Sequence, residues 1–352
     1  SEDNEGNPAV VHFPEGDAYL VVWEHEASLG DHDIYAHLVT SGGNLTGTMI
    51  TVSEDSCDET NPEVAYNPAI PGFLVVWERL NQGGEVLQKD ILAQRIDLSG
   101  ALISGTITIA AGDFNQVTPR VVFWDAGIWA GNLVVWSAED ALTSDYDIQA
   151  RLIDADGSLV GDIIDVSSWE EDQLAPSAAC MEKCLLVWED HHAGPGEGWD
   201  IYGQMLLVNE LGELQLEGGN FPLVSDGSEN RTSPVASARR ENEQFLVAWE
   251  HEMAVDNHDL YLGLFDHLGA QVTTEIVLSA EDTNEAWAAV ATEFLNNTLV
   301  TWEDGRATET LGFVIYALVI PATCTKHCQC PQGWFCYYGK CIYDSKFVVY
   351  CC

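Results

Sequence analysis

The sequence predicts an all-β chain folded as a six-bladed β-propeller with a small disulfide-rich C-terminal extension. One grammar recurs six times: a short Pro-opened segment, an apolar run ending in Trp, a polar loop, an Asp-Ile-Tyr-like strand, a Gly turn and a final strand. The Trp anchors are Trp23, Trp77, Trp136, Trp188, Trp249 and Trp302. Five copies open at Pro8, Pro62, Pro119, Pro176 and Pro234, and the sixth has Ala288 there. Successive starts therefore lie 54, 57, 57, 58 and 54 residues apart. Four short strands within a period of this length mark a propeller blade. No segment carries the 3.6-residue periodicity of a helix.

The second copy displays the elements most clearly. Residues 62–67 (PEVAYN) read as the first strand. Residues 73–78 (FLVVWE) form a continuous apolar run suited to burial on both faces. Residues 90–97 (DILAQRID) and 106–110 (TITIA) follow, separated by a turn at Gly100. Gly43, Gly157, Gly212 and Gly269 recur at the same turn, where a positive φ is expected. The blades fall near 8–61, 62–118, 119–175, 176–233, 234–287 and 288–320 within a propeller of residues 1–320, followed by a Cys-rich tail, 321–352. The sixth copy has only three strands of its own. Residues Phe347, Val348, Val349 and Tyr350 are the one strand-like word left to complete a blade.

The order of P-x-V-A, apolar strand, D-I-Y-like strand and Gly turn resembles the layout of TolB-type six-bladed propellers. The words VVWE, LVWED and DIY resemble the repeats of secreted bacterial propeller proteins. This likeness covers residues 8–320 and implies fold, not function. The S-P-D-G word of TolB repeats is missing, so that family's partners are not carried over. Residues 324–341 (CTKHCQCPQGWFCYYGKC) resemble small EGF-like or knottin-like disulfide modules.

Composition narrows the partners. Thirteen basic residues against 57 acidic ones give a net charge of −44, which repels nucleic acid and anionic lipid. No apolar run is long enough to span a membrane. A start at Ser1, ten Cys, and Asn-x-Thr sequons at Asn44, Asn230 and Asn296 together lead to the expectation of an extracellular, glycosylated protein. Cys180 and Cys184 flank a tight hairpin and are expected to pair. Cys57 then joins Cys324, Cys328, Cys330, Cys336, Cys341, Cys351 and Cys352 in an even set of eight. Cys57 is expected to bridge to the tail, in its own chain or a neighbour's.

Catalytic signatures are sparse. There is no G-x-S-x-G, phosphate loop, H-E-x-x-H or sialidase-type Asp-box. Glu24, Glu78, Glu189, Glu250 and Glu303 follow the Trp, and Asp33, Asp90, Asp147, Asp200 and Asp259 open the third strand. A catalytic group is needed once, so fivefold repetition points to architecture, with the carboxylates accepting N–H bonds in the adjoining loop. His25 and His32, with the matching His251 and His258, are weak metal candidates. Their spacing fits no zinc motif, and alternate residues of a strand face opposite ways. Trp124, Trp129, Trp169 and Trp199 either stack on sugars or fill gaps between blades. The leading expectation is a non-enzymatic structural module without cofactor, self-associating into extracellular fibres by C-terminal strand addition and disulfides. Two alternatives stand beside it: a carbohydrate-binding or carbohydrate-active propeller, and a Ca²⁺-stabilised adhesion domain.

Overall fold

The computed structural model describes residues 4–81, 87–191, 198–225, 229–254, 257–280, 284–292, 297–304, 314–320, 334–337 and 340–343. Blade one comprises β1 (Glu5–Phe13), β2 (Ala18–Ser28), β3 (Asp31–Thr40) and β4 (Leu45–Ser53). Blade two comprises β5 (Glu59–Asn67), β6 (Gly72–Asn81), β7 (Gln88–Ile96) and β8 (Leu102–Ala110). Blade three holds β9 (Gln116–Asp125), β10 (Ala130–Glu139), β11 (Tyr146–Asp154) and β12 (Leu159–Ser167). Blade four holds β13 (Gln173–Cys180), β14 (Cys184–Asp190), β15 (Asp200–Val208) and β16 (Leu214–Val224). Blade five has β17 (Arg231–Arg239), β18 (Gln244–Ala254), β19 (Asn257–Asp266) and β20 (Ile276–Ser279). Blade six has β21 (Glu285–Thr292), β22 (Thr298–Asp304) and β23 (Val314–Ile320).

In every blade the strands lie in chain order and antiparallel, which makes the fold the expected six-bladed β-propeller. Among the described residues the sixth sheet has three strands, and a separate hairpin joins β24 (Trp334–Tyr337) to β25 (Lys340–Tyr343). The proposed completing strand, Phe347–Tyr350, lies outside the described residues, as do Cys324, Cys328, Cys330, Cys351, Cys352 and Asn296. Cys180 and Cys184 are disulfide-bonded, as their spacing predicts.

The chain divides into two compact units, one of residues 1–182 with 206–217, the other of 183–205 with 218–352. In the first unit, one apolar cluster joins blades one and two through Phe13, Leu20, Ile34, Phe73 and Trp77. A second joins blades two and three through Leu74, Ile91, Ile109, Val134 and Trp136. In the second unit, Leu246, Leu260, Leu262, Val300 and Trp302 join blades five and six. The apolar run of blade two thus serves two faces at once, Phe73 and Trp77 packing toward blade one and Leu74 and Val76 toward blade three.

The turn glycines behave as expected. Gly100 sits at φ +88° and Gly157 at φ +92°. A side chain at Gly100 would meet Ile50 Cδ1 of the preceding blade at 2.9 Å, and one at Gly157 would meet Arg95 Cδ at 2.7 Å. Positive φ and close approach together reserve these places for glycine. Asp97 Oδ1 stiffens its turn by accepting the N–H groups of Ser99 at 2.8 Å and Ala101 at 2.9 Å.

The first strands begin earlier than the sequence indicates. β5 starts at Glu59, three residues before Pro62, because the strand passes through a bulge at the residue preceding proline. That residue has positive φ in all six copies: Asn7 +42°, Asn61 +53°, Thr118 +53°, Ala175 +49°, Ser233 +53° and Trp287 +56°. Such a conformation costs a non-glycine residue about 1–2 kcal/mol. The repeated Glu offsets it. Its carboxylate accepts the bulge N–H of the next blade: Glu24 from Asn61 at 3.1 Å, Glu78 from Thr118 at 2.7 Å, Glu189 from Ser233 at 2.8 Å, Glu250 from Trp287 at 2.8 Å. The donors therefore belong to the following blade and not to the adjoining loop. Glu78, almost fully buried, also accepts from Asn61 Nδ2 at 2.7 Å and Lys89 Nζ at 2.6 Å. Blade three carries Ser137 where the others carry Glu.

A second repeated contact anchors the Trp. Glu59 and Gln116 open β5 and β9, and accept from Trp77 Nε1 at 3.1 Å and Trp136 Nε1 at 2.6 Å. Glu59 is fully buried and also accepts from Ser53 Oγ at 2.6 Å. Burial dominates over both bonds and pushes its carboxyl up to about 7.

Two outcomes are expected. Glu78→Ala should destabilise the fold by about 3 kcal/mol in urea unfolding, since it strands a backbone donor, an amide and an ammonium. Glu24→Ala should cost less, because its carboxylate is less buried; equal effects would refute the ranking. Glu59 has a folded pKa raised above its unfolded value. Its contribution is complete below about 4.5, the ordinary value of a glutamate, and is lost as pH rises through about 7. Glu59→Gln, which copies Gln116, should flatten that part of the stability profile. It should raise stability at pH 8 by an amount on the order of 2 kcal/mol, measured by thermal unfolding across pH.

Candidate functional site

The strand-end histidines do not assemble a metal centre. His25 pairs in register with Asp33, and His32 with Glu26, so the two imidazoles leave opposite faces of the β2–β3 ladder. His25 Nδ1 lies 3.4 Å from Glu5 Oε1 and His32 Nδ1 lies 2.7 Å from Asp58 Oδ1. In blade five His251 Nε2 meets Glu229 Oε2 at 2.7 Å, and His258 Nδ1 meets Asn284 Oδ1 at 2.6 Å. Among the described residues no three His, Cys, Asp or Glu side chains converge to hold a metal.

Blade three offers a different arrangement. A cleft of about 330 Å³ opens between the strand-connecting segments at one end of the sheet. Its walls come from the chain leading into β9 (Asp113, Phe114, Gln116), the segment after Trp136 (Glu139, Asp140), and β11 and β12 (Asp147, Gln149, Asp165). The register explains the convergence: Asp147 faces Ala138 across β10–β11, and Gln149 faces Asp165 across β11–β12. Gln149 Nε2 donates to Asp165 Oδ1 at 2.8 Å. Phe114 is partly exposed and supplies an apolar wall.

The carboxyl groups of this cleft are electrostatically unequal. Burial, reinforced by the charges of Asp140, Asp165 and Asp145, pushes Asp147 up to about 6. The N–H groups of Leu142 at 2.7 Å and Thr143 at 3.1 Å hold Asp140 below the usual carboxylate range. One acid therefore keeps its proton at mildly acidic pH while its neighbour is ionised. That division of labour is what acid–base catalysis on an acetal requires. Repetition made Asp147 look purely architectural. What sets it apart is its surroundings, Asp140 and Asp165, which other blades do not repeat.

A second pair of perturbed carboxyls lies in blades four and five. Burial pushes Glu189 up to about 7, with Glu250 adding to the rise, and burial also raises Glu250. Both are engaged by the bulge N–H groups already described.

The aromatic candidates separate. Trp124 is fully buried, with Nε1 3.3 Å from the Glu182 carbonyl and its ring edge-on to Trp129, so it fills a gap. Trp129 Nε1 donates to Asp154 Oδ1 at 2.5 Å. Trp199 stacks on His191 with ring centres 4.7 Å apart. Trp169 is 37% exposed. The most exposed Trp among the described residues is Trp287, at 74%, which is not one of the six Trp anchors of the repeat. The signal was available: every other copy has Asn, Thr, Ala or Ser at that position. Of the sequons, Asn44 is exposed in a turn. Asn230 is committed, with Oδ1 accepting from Trp199 N at 3.1 Å and Nδ2 donating to Glu252. Cys57 lies half-buried in the β4–β5 connection, and of the seven tail cysteines expected as its partner only Cys336 and Cys341 fall within the described residues.

No protein-family model matches the sequence. No curated protein matches it in sequence either. Solved structures do resemble it in fold. A protein of unknown function from Dyadobacter fermentans superposes with a TM-score of 0.62 at 10% identity, over 90% of this chain and 94% of that one. The Hadza microbial sialidase gives 0.58 at 12% identity, over 89% of this chain and 65% of that one. The parainfluenza virus 5 hemagglutinin-neuraminidase ectodomain gives 0.53 at 8% identity, over 90% and 82%. At these identities the likeness is one of fold. It nevertheless corrects the leading expectation. The architecture is shared with a sialidase and a hemagglutinin-neuraminidase, and this overturns the expectation of a non-enzymatic, fibre-forming structural module.

Proposed function

We propose that the chain is a carbohydrate-active propeller that binds and cleaves neutral glycans, with the acidic cleft of blade three as its site. The observation that carries the reading is the unequal pair in that cleft: Asp147 raised to about 6 beside an ionised Asp140. In this reading Asp147 is the general acid that protonates the leaving glycosidic oxygen. Asp140 and Asp165 present negative charge to the oxocarbenium-like transition state. Phe114 offers an apolar surface to a sugar ring. The substrate is neutral because no Arg or Lys among the described residues lines the cleft and the chain carries −44. A carboxylate-bearing sugar would need cationic partners. An extracellular location accompanies this proposal, supported by the Cys180–Cys184 disulfide.

The test is hydrolysis of aryl arabinofuranosides, xylosides, galactosides and glucosides, with binding of the matching oligosaccharides measured in parallel. Turnover should fall as pH rises through about 6, where Asp147 loses the proton it donates. Asp147→Asn should lower kcat/KM at least 100-fold while leaving thermal unfolding nearly unchanged. Neither cleavage nor binding of any neutral glycan would defeat the proposal.

A further inference from the structure

We infer that Trp287 is a sugar-stacking platform, a second point of contact for neutral glycans on strand β21 and separate from the acidic cleft. This rests on the carbohydrate reading of the chain but on different residues. Three observations carry it.

The first is position. Trp287 occupies the bulge of an edge strand, at φ +56°, where five equivalent residues are the smaller Asn7, Asn61, Thr118, Ala175 and Ser233. A bulky aromatic in the left-handed region is a genuine conformational outlier, and strain of this kind gathers at functional sites. The fold gains nothing from the size of the side chain, because Ala175 holds the same conformation in blade four. The second is exposure. The indole is 74% exposed, while the Trp side chains of β6, β10, β14 and β18 are fully buried. The third is anchoring. Trp287 N donates to Glu250 Oε1 at 2.8 Å, which fixes the backbone from which the indole projects. Three residues earlier, Asn284 holds His258 Nδ1 at 2.6 Å, so the strand is pinned at its entry too.

A solvent-facing indole carried on a backbone that a carboxylate anchors suits the apolar face of a sugar. The adjoining Glu250 and the overall charge disfavour anionic ligands. A nucleic acid base would bring phosphates into that field, and is the less favoured occupant.

The experiment uses the full chain and neutral tetrasaccharides of arabinose, xylose, galactose and glucose. Binding is read by calorimetry, and protection of Trp287 from mild oxidation by peptide mass. Trp287→Ala is expected to fold, as Ala175 does in its own blade, and to weaken binding at least tenfold. Trp287→Tyr should restore most of the affinity. In the wild type, a bound tetrasaccharide should shield Trp287 from oxidation. Unchanged affinity in Trp287→Ala, or unshielded oxidation at saturating sugar, overturns the inference. The two readings fail separately: loss of turnover in Asp147→Asn with full binding in Trp287→Ala leaves the cleft standing and removes the platform. A wild type that binds no tetrasaccharide removes both.

Discussion

The fold depends on a carboxylate reaching from one blade to a strained backbone amide in the next. A propeller blade cannot bury both faces alone, so its neighbours must be held in register. Apolar contact supplies most of the energy but is indifferent to small slips. The Glu–amide bond is directional, charge-assisted and repeated. It makes the left-handed bulge before proline tolerable, and the bulge in turn sets where the first strand bends. Glu78, with Thr118 N, Asn61 Nδ2 and Lys89 Nζ all within 2.7 Å, is the fullest example.

The same device accounts for the unusual acidity in part. Several carboxylates are spent on backbone and indole N–H groups, at the starts of first strands and the ends of second strands. Glu59 and Glu189 are so deeply placed that burial raises them to about 7. Such groups are structural, and a raised pKa alone does not mark a catalyst. Asp147 differs because it faces a cleft and has an ionised companion that serves no bulge.

Much of the architecture was legible in the sequence. Pro, Trp, the Asp-Ile-Tyr word and the turn Gly recur because every blade needs the same backbone at the same places, so counting them counts the blades. The bulge was not legible. Asn7, Asn61, Thr118, Ala175, Ser233 and Trp287 share a dihedral angle but no side-chain chemistry, and a residue before proline normally favours extended conformations. The roles of Glu24 and Glu78 were read as local because sequence gives no sight of the following blade. The candidate site was hidden for the opposite reason. Asp147 is part of the repeat, and only the unrepeated Asp140, Gln149 and Asp165 around it give it a cleft. Trp287 broke the pattern at a position whose importance appears only once the dihedral angles are known.

Ser137 stands where the five other blades place a carboxylate. An array of blades behaves as a row of units coupled to their neighbours, and its cooperativity is set by the weakest coupling. Blade three therefore lacks the carboxylate that blade two supplies to Thr118 through Glu78. Ser137 lies in the same strand as Glu139, beside the acidic cleft. The gap in the carboxylate series and the acidic cleft thus share a strand, β10, so a shift of that strand would be felt at the cleft.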